Sequence, residues 1–122
     1  MRIITKENTQ IRKGDGNPFI TVFSEGVYFT ASTVNECNIQ HNARVNFIQD
    51  KQLWSFYCHL DTEGFLIQRY GSGFRIHSKP LVRMIKKSLR IQEEIFSLYI
   101  KPTGEQIDGH DIIRILTDKK VE

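Results

Sequence analysis

Trp54, Phe56, Cys58 and Leu60 alternate with Ser55, Tyr57 and His59, the longest apolar run of period two in the chain. Successive side chains of a β-strand point to opposite faces, so this spacing places all four apolar residues on one side of a sheet. That single run commits the middle of the chain to strand, and the segments around it carry the same signature between turn-forming residues. Phe19–Phe23 reads as a strand, Glu25-Gly26 as a tight turn and Val27–Thr30 as the return partner. Arg44–Ile48 is turned by Asp50-Lys51-Gln52 into the strand Leu53–Leu60, and Asp61–Gly64 turns it again into Phe65–Tyr70. Gly71-Ser72-Gly73 leads back into Phe74–His77, and Ile95–Lys101 and Asp111–Thr117 are two further strands joined by the turn-rich segment 102–110. Between the second and third strands, Ser32 is a candidate N-cap for a short helical turn with Val34 and Cys37 on one side.

One longer helix is expected, over 79–90. Ser78 is placed to cap it, and Pro80 falls in its first turn, where a missing N–H costs nothing. At about 100° per residue, Leu81, Val82, Met84, Ile85 and Leu89 share an arc of about 160°. Lys79, Arg83, Lys86, Lys87 and Arg90 gather in an arc of about 100° on the opposite side. The expected fold is therefore α+β and mostly β: about eight short antiparallel strands with one amphipathic helix packed on the sheet. Residues 1–17 read as a flexible arm in which Ile3 and Ile4 offer a short edge strand, 18–117 as a single globular domain and 118–122 as a charged tail.

At 122 residues the chain is the size of one domain, and its 39% hydrophobic and 25% charged content are those of a globular protein. No apolar run approaches the ~20 residues that span a bilayer, and the N-terminus turns polar too early for a secretory signal. The expectation is a cytoplasmic protein without a membrane partner, in which Cys37 and Cys58 are reduced thiols and Cys58 lies in the core.

Charge is distributed unevenly. Between Gly64 and Arg90 stand seven basic residues (Arg69, Arg75, Lys79, Arg83, Lys86, Lys87 and Arg90) and no Asp or Glu. The remainder of the chain is net acidic, so the whole excess behind the formal charge of +3 comes from this stretch. Solvated helices usually interleave Glu with Lys in i,i+4 pairs. A field of one sign attracts an acidic partner, a nucleic-acid backbone among them.

The hairpin before the helix adds an aromatic component. A two-residue type II′ loop at Gly71-Ser72 pairs Arg69 with Phe74 and Ile67 with Ile76. Phe65, Ile67, Phe74 and Ile76 then share the face to be buried, and Leu66, Gln68, Tyr70, Arg75 and His77 share the other. A tyrosine among cations on a sheet surface suits single-stranded nucleic acid, the ring stacking on bases and the cations meeting phosphates. The candidate nucleic-acid-binding residues are Gln68, Tyr70, Arg75, His77, Lys79, Arg83, Lys86, Lys87 and Arg90.

His41, His59, His77 and His110 lack the helical i,i+4 spacing and the CxxC pairs of zinc sites. Cys58 and His59 are neighbours on a strand and face opposite sides, while His59 and Asp61 share a face if the strand continues. Asp108-Gly109-His110-Asp111 is the densest polar cluster, and Asp-Gly is also a favoured hairpin turn. No catalytic residue, metal ligand or cofactor is assigned. The leading reading is a small non-enzymatic protein that contacts nucleic acid through 66–90. The first alternative is a structural or interaction module for an acidic protein partner. The second is a small enzyme with a concave pocket at 102–111 lined by Asp108, His110 and Asp111.

Phe19–Leu60, in the order strand, Gly turn, strand, helical turn, strand, turn, strand, resembles the AbrB-like swapped-hairpin family of bacterial DNA-binding regulators, with Phe19–Phe29 as the opening β-turn-β unit, Thr33–Ile39 as the short helix and Ala43–Phe47 as the third strand. Thr30-Ala31 and Asn42-Ala43 stand where that family has its Pro after the second strand and Gly-Asp before the third. None of the family's basic DNA-contacting residues carries over onto this segment. The resemblance implies an intertwined homodimer. Arg44–Arg90, four strands and then a helix, is similar in element order to the single-strand-binding folds of the Whirly and transcriptional-coactivator type.

Overall fold

The apolar stretches become strands, and the sheet they form bends round until its two edges nearly meet. The computed structural model describes residues 17–120 except 38 and 41, so the expected arm at 1–17 falls almost wholly outside the described residues. The strands are β1 (Phe19–Phe23), β2 (Gly26–Phe29), β3 (Arg44–Asp50), β4 (Leu53–His59), β5 (Phe65–Leu66), β6 (Gln68–Tyr70), β7 (Gly73–His77), β8 (Phe96–Ile107) and β9 (His110–Lys120). Two helices interrupt them, α1 (Ala31–Glu36) and α2 (Lys79–Leu89). The fold is mostly β with two helices, nine strands rather than the expected eight, all pairing antiparallel among the described residues.

The extra strand comes from one break. The expected strand 65–70 is split at Ile67, and its halves pair with different neighbours: β5 with β3, β6 with β7. In the sheet order β5-β3-β4-β9-β8-β1-β2-β7-β6, the two outermost strands are therefore consecutive pieces of chain. The Ile67 N–H donates to the Ala43 carbonyl at 3.0 Å, tying the seam. The result is an antiparallel barrel, closed across one short break, which leaves few free strand edges.

Its interior is filled by the inward alternates of all the strands except β5 and β6, with Ile67 between those two. Ile20, Val22, Val27, Phe29, Val45, Trp54, Phe56, Ile67, Ile76, Leu98, Ile113 and Ile115 are buried in one cluster. Phe29 and Phe56 stack across the barrel with ring centroids 5.6 Å apart. Trp54 and Phe56 are inward as expected, and Cys58 is partly buried against the same core. Leu60 is not: β4 ends at His59, and Leu60 is 67% exposed in the turn that follows. Gly26 has no room for a side chain, because a Cβ there would run into the Ile76 carbonyl across the β2–β7 ladder.

Helix α2 lies across an end of the barrel rather than on the face of a sheet. The Ser78 N–H donates to the Glu25 carbonyl in the β1–β2 turn, and Ser88 Oγ donates to the Lys51 carbonyl in the β3–β4 turn. Between these anchors Leu81, Val82 and Ile85 enter the core, each stabilising by roughly 1.5–3 kcal/mol. Ser78 caps the helix through Leu81 N, and Arg90 ends it in the left-handed region at φ +56°. Leu89 is half-buried and Met84 is 55% exposed, because it lies at the rim of the apolar arc. At the other end α1 is capped by Thr30 rather than Ser32. Fully buried Thr33 accepts from Phe19 N–H and donates to Phe19 O, locking α1 to the start of β1.

The segment 102–110 is mostly strand, where a loop was expected. Asp108-Gly109 alone forms the turn, both at positive φ as a type I′ turn requires. The residues after Pro102 are absorbed as a bulge, with Thr103 Oγ1 donating to Ile112 O and accepting from Glu105 N–H. The backbone of 118–120 continues β9, so the expected charged tail at 118–122 begins as strand. No helix among the described residues is long and apolar enough to cross a membrane.

Candidate nucleic-acid interface

The basic residues of α2 face away from the barrel because its apolar arc is consumed by the core. Lys79, Arg83, Lys87 and Arg90 are exposed and Lys86 is partly so. Lys86 Nζ donates to the Glu94 carbonyl at 3.2 Å, a contact with a backbone dipole rather than a carboxylate. Carboxylates approach two imidazoles, Asp61 at 3.7 Å from His59 and Glu25 at 3.3 Å from His77, and neither contact involves a lysine or arginine. The helix thus presents five cations along about 16 Å on a segment that carries no Asp or Glu.

The hairpin keeps the expected Arg69–Phe74 pair, but the expected Ile67–Ile76 pair is not part of the ladder, because the Ile67 N–H turns to the Ala43 carbonyl. Tyr70, Arg69 and Gln68 pair with Gly73, Phe74 and Arg75, leaving Gly71-Ser72 as a two-residue loop. Gly71 has φ +61° and Ser72 is not in the left-handed region, the sign pattern of a type II′ turn. Ile67 and Ile76 are buried, whereas Gln68, Tyr70 and His77 are exposed and Arg75 is half-buried. Tyr70 and Arg75 are partners rather than independent contacts: the guanidinium carbon lies 4.4 Å from the Tyr70 ring centroid. A cation over an aromatic face is attracted by the ring quadrupole. Tyr28 meets the same ring edge-on at 5.9 Å. Tyr70 nevertheless remains 53% exposed. His77 Nε2 is 3.3 Å from Glu25 Oε2, so this imidazole has an acidic neighbour that the pattern of residues 64–90 does not reveal.

Strand β7 carries this patch toward α2. Its five residues span about 13 Å from the Tyr70 end to His77, where Ser78 starts the helix. Gln68, Tyr70, Arg75 and His77 therefore form one part of a band and Lys79, Arg83, Lys86, Lys87 and Arg90 the other. Within the first part, beside Gln68 and His77, lies a groove lined also by Phe65, Leu66 and Ile76. Sequence reading missed it, although three consecutive apolar residues, Phe65-Leu66-Ile67, break the alternation and mark the place where the strand changes partner.

A second concavity, of about 330 Å³, opens at the α1 end, with Cys37, Cys58, His59, Asp61, His110 and Asp111 in its wall. It contains two of the residues expected for a site at 102–111, but Asp108 sits at the turn tip and does not line it. His59 is 5% exposed, and its Nδ1 accepts the Asp61 N–H at 3.1 Å, which places the ring proton on Nε2. The Tyr57, His59 and His110 rings lie within 6.1 Å of one another. Both cysteines are free thiols. Burial, then the Glu36 carboxylate, pushes Cys37 up to about 11; burial, then Cys37, pushes Cys58 up to about 12. Neutral thiols are poor nucleophiles and poor metal ligands. Among the described residues no group of three or more His, Cys, Asp or Glu is placed to hold a metal ion.

No protein-family model, curated protein or solved structure matches this chain.

Proposed function

We propose that the protein is a small, non-enzymatic nucleic-acid-binding protein whose contact surface is the band formed by β6, β7 and α2. The observation that carries this reading is the outward face of α2, where five cations gather on one arc of a helix that holds no Asp or Glu. Lys79, Arg83, Lys86, Lys87 and Arg90 neutralise phosphates, and Tyr70, stiffened by Arg75, offers a ring to a base. Phosphate contacts release counterions and carry no base information, so this part of the binding is salt-sensitive and indifferent to sequence. The reduced state of Cys37 and Cys58 supports a cytoplasmic setting.

The test is a titration of labelled oligonucleotides of unrelated sequence at two salt concentrations, with the native protein and a Lys86→Glu, Lys87→Glu variant. Binding to every sequence at low salt, weakened at higher salt and by the double reversal, is the expected result. Absence of binding at low salt contradicts the proposal and leaves an acidic protein as the partner that the same field would attract. The homodimer implied by the swapped-hairpin resemblance is a separate expectation, read from the mass in solution.

A further inference from the structure

The chain between Gly64 and Gly71 changes partner half-way along. Leu66 is in register with Arg44 on β3, whereas Gln68 is in register with Arg75 on β7. Two residues further along, the Gln68–Arg75 ladder would bring Leu66 opposite His77. The ladder stops short of that pair, and the register partner of His77 is Gly26, on the other side of β7. The strands part there, and the opening is a groove of about 310 Å³.

The groove combines apolar surface with a small number of polar groups. Leu66, 40% exposed, forms one wall, and Phe65 and Ile76 form a hydrophobic floor. Gln68 brings an amide with both a donor and an acceptor, and His77 brings a flat ring whose side chain is 51% exposed. Its position is as informative as its lining. The Tyr70–Arg75 stack lies beyond Gln68 on one side, and Lys79 opens the basic helix two residues beyond His77 on the other. A ligand following the band from Tyr70 to the α2 cations crosses the groove on the way.

We propose that this groove receives one unstacked base of a single-stranded nucleic acid, which makes single strands the preferred class of ligand for the band. The inference rests on the nucleic-acid reading of that surface. A base taken out of its stack offers two apolar faces and a polar edge. Leu66 and His77 flank the faces, and the Gln68 amide meets the edge. Bases within a duplex have their faces stacked and their pairing edges engaged, so a duplex reaches the cations but not the groove. The paired Tyr70–Arg75 platform supports the same preference, because stacking on an aromatic ring also requires an unpaired base.

The experiment compares short single-stranded homopolymers of each base with a duplex of equal length, using fluorescence anisotropy at low salt. The native protein, Leu66→Ser and Gln68→Ala are measured, with each variant's melting temperature recorded to exclude unfolding. Expected are binding of at least one homopolymer about tenfold tighter than the duplex, and a loss of about fivefold or more for single strands alone in Leu66→Ser. Gln68→Ala should narrow the differences between homopolymers while duplex affinity stays unchanged. Equal affinity for duplex and all single strands, or single-strand affinity untouched by either substitution, overturns the groove proposal and leaves the basic band standing. Absence of binding to every probe overturns both.

Discussion

The two ends of the barrel are closed by the same device with different results. At one end α2, eleven residues and about 16 Å long, reaches from the β1–β2 turn to the β3–β4 turn and covers the mouth. At the other, α1 has only six residues and about 9 Å, pinned by Thr33 to the start of β1, and the pocket beside Cys37 stays open. Charge follows closure. The covering helix spends the centre of its apolar arc, Leu81, Val82 and Ile85, on the core and turns five cations outward, whereas the open end places imidazoles, carboxylates and neutral thiols around a concavity. A long lid yields a convex surface of one sign, suited to a polyanion; a short lid yields a mixed hollow. The contrast locates the proposed interface at the α2 end and along β7.

Removing core contacts beneath each lid tests that contrast with the largest expected effects. Ile85→Ala should cost about 2–5 kcal/mol in denaturant unfolding, as a buried side chain at the centre of the covering helix. Val34→Ala, under the short lid and only partly buried, should cost no more than about 1.6 kcal/mol for two methylene-sized groups. Equal costs would mean that α1 seals its end as fully as α2 does.

The polar anchors come next. Ser88→Ala deprives Trp54 Nε1 of its 3.0 Å acceptor and should cost about 1–3 kcal/mol, less where water replaces the hydroxyl. Thr33→Val deprives Phe19 of both side-chain hydrogen bonds in a fully buried place, so its cost should fall at the upper end of that range. If Ser88→Ala proves the more damaging, the short helix is the less firmly tied of the two.

The smallest effect concerns the thiols. Burial raises the Cys37 and Cys58 pKa values above their unfolded values, so the folded state favours their protonated forms. The associated stability is fully present below about pH 9 and is lost as pH rises toward the folded values of about 11 and 12. Alkaline destabilisation above about pH 9 should therefore shrink in Cys58→Ala relative to its own neutral-pH stability, measured by thermal unfolding across that window. Rapid thiol labelling of the folded native protein at neutral pH would contradict the burial.

Local chemistry made much of this architecture legible in advance. All eight expected strand positions are occupied, because alternation and turn residues such as Gly71-Ser72 act within a few positions of each other. The faces of the 65–77 hairpin were readable for the same reason. What lay hidden depends on distant partners. Closure of the barrel requires β5 to meet β3 and β6 to meet β7, a choice that no window around Ile67 displays, although the apolar run Phe65-Leu66-Ile67 marks its site. Ser88 sits inside the apolar arc of α2 and is a polar exception there only until Trp54 and Lys51 are seen beside it. Pro102 and Gly104 looked like a loop, yet long-range pairing with β9 holds that segment in a bulged strand. In the candidate interface, the outward cations of α2 followed from the helical arc, while the Tyr70–Arg75 stack, the Glu25 neighbour of His77 and the groove needed the fold.

The central claim, that α2 neutralises nucleic-acid phosphates, is tested most directly by the salt dependence of affinity. For a single-stranded oligonucleotide engaging about four phosphates, log K should fall with log salt at a slope of about −3, and Lys86→Glu, Lys87→Glu should flatten that slope by about 1 or more. A native slope near zero, or a slope unaltered by the double reversal, would contradict the account.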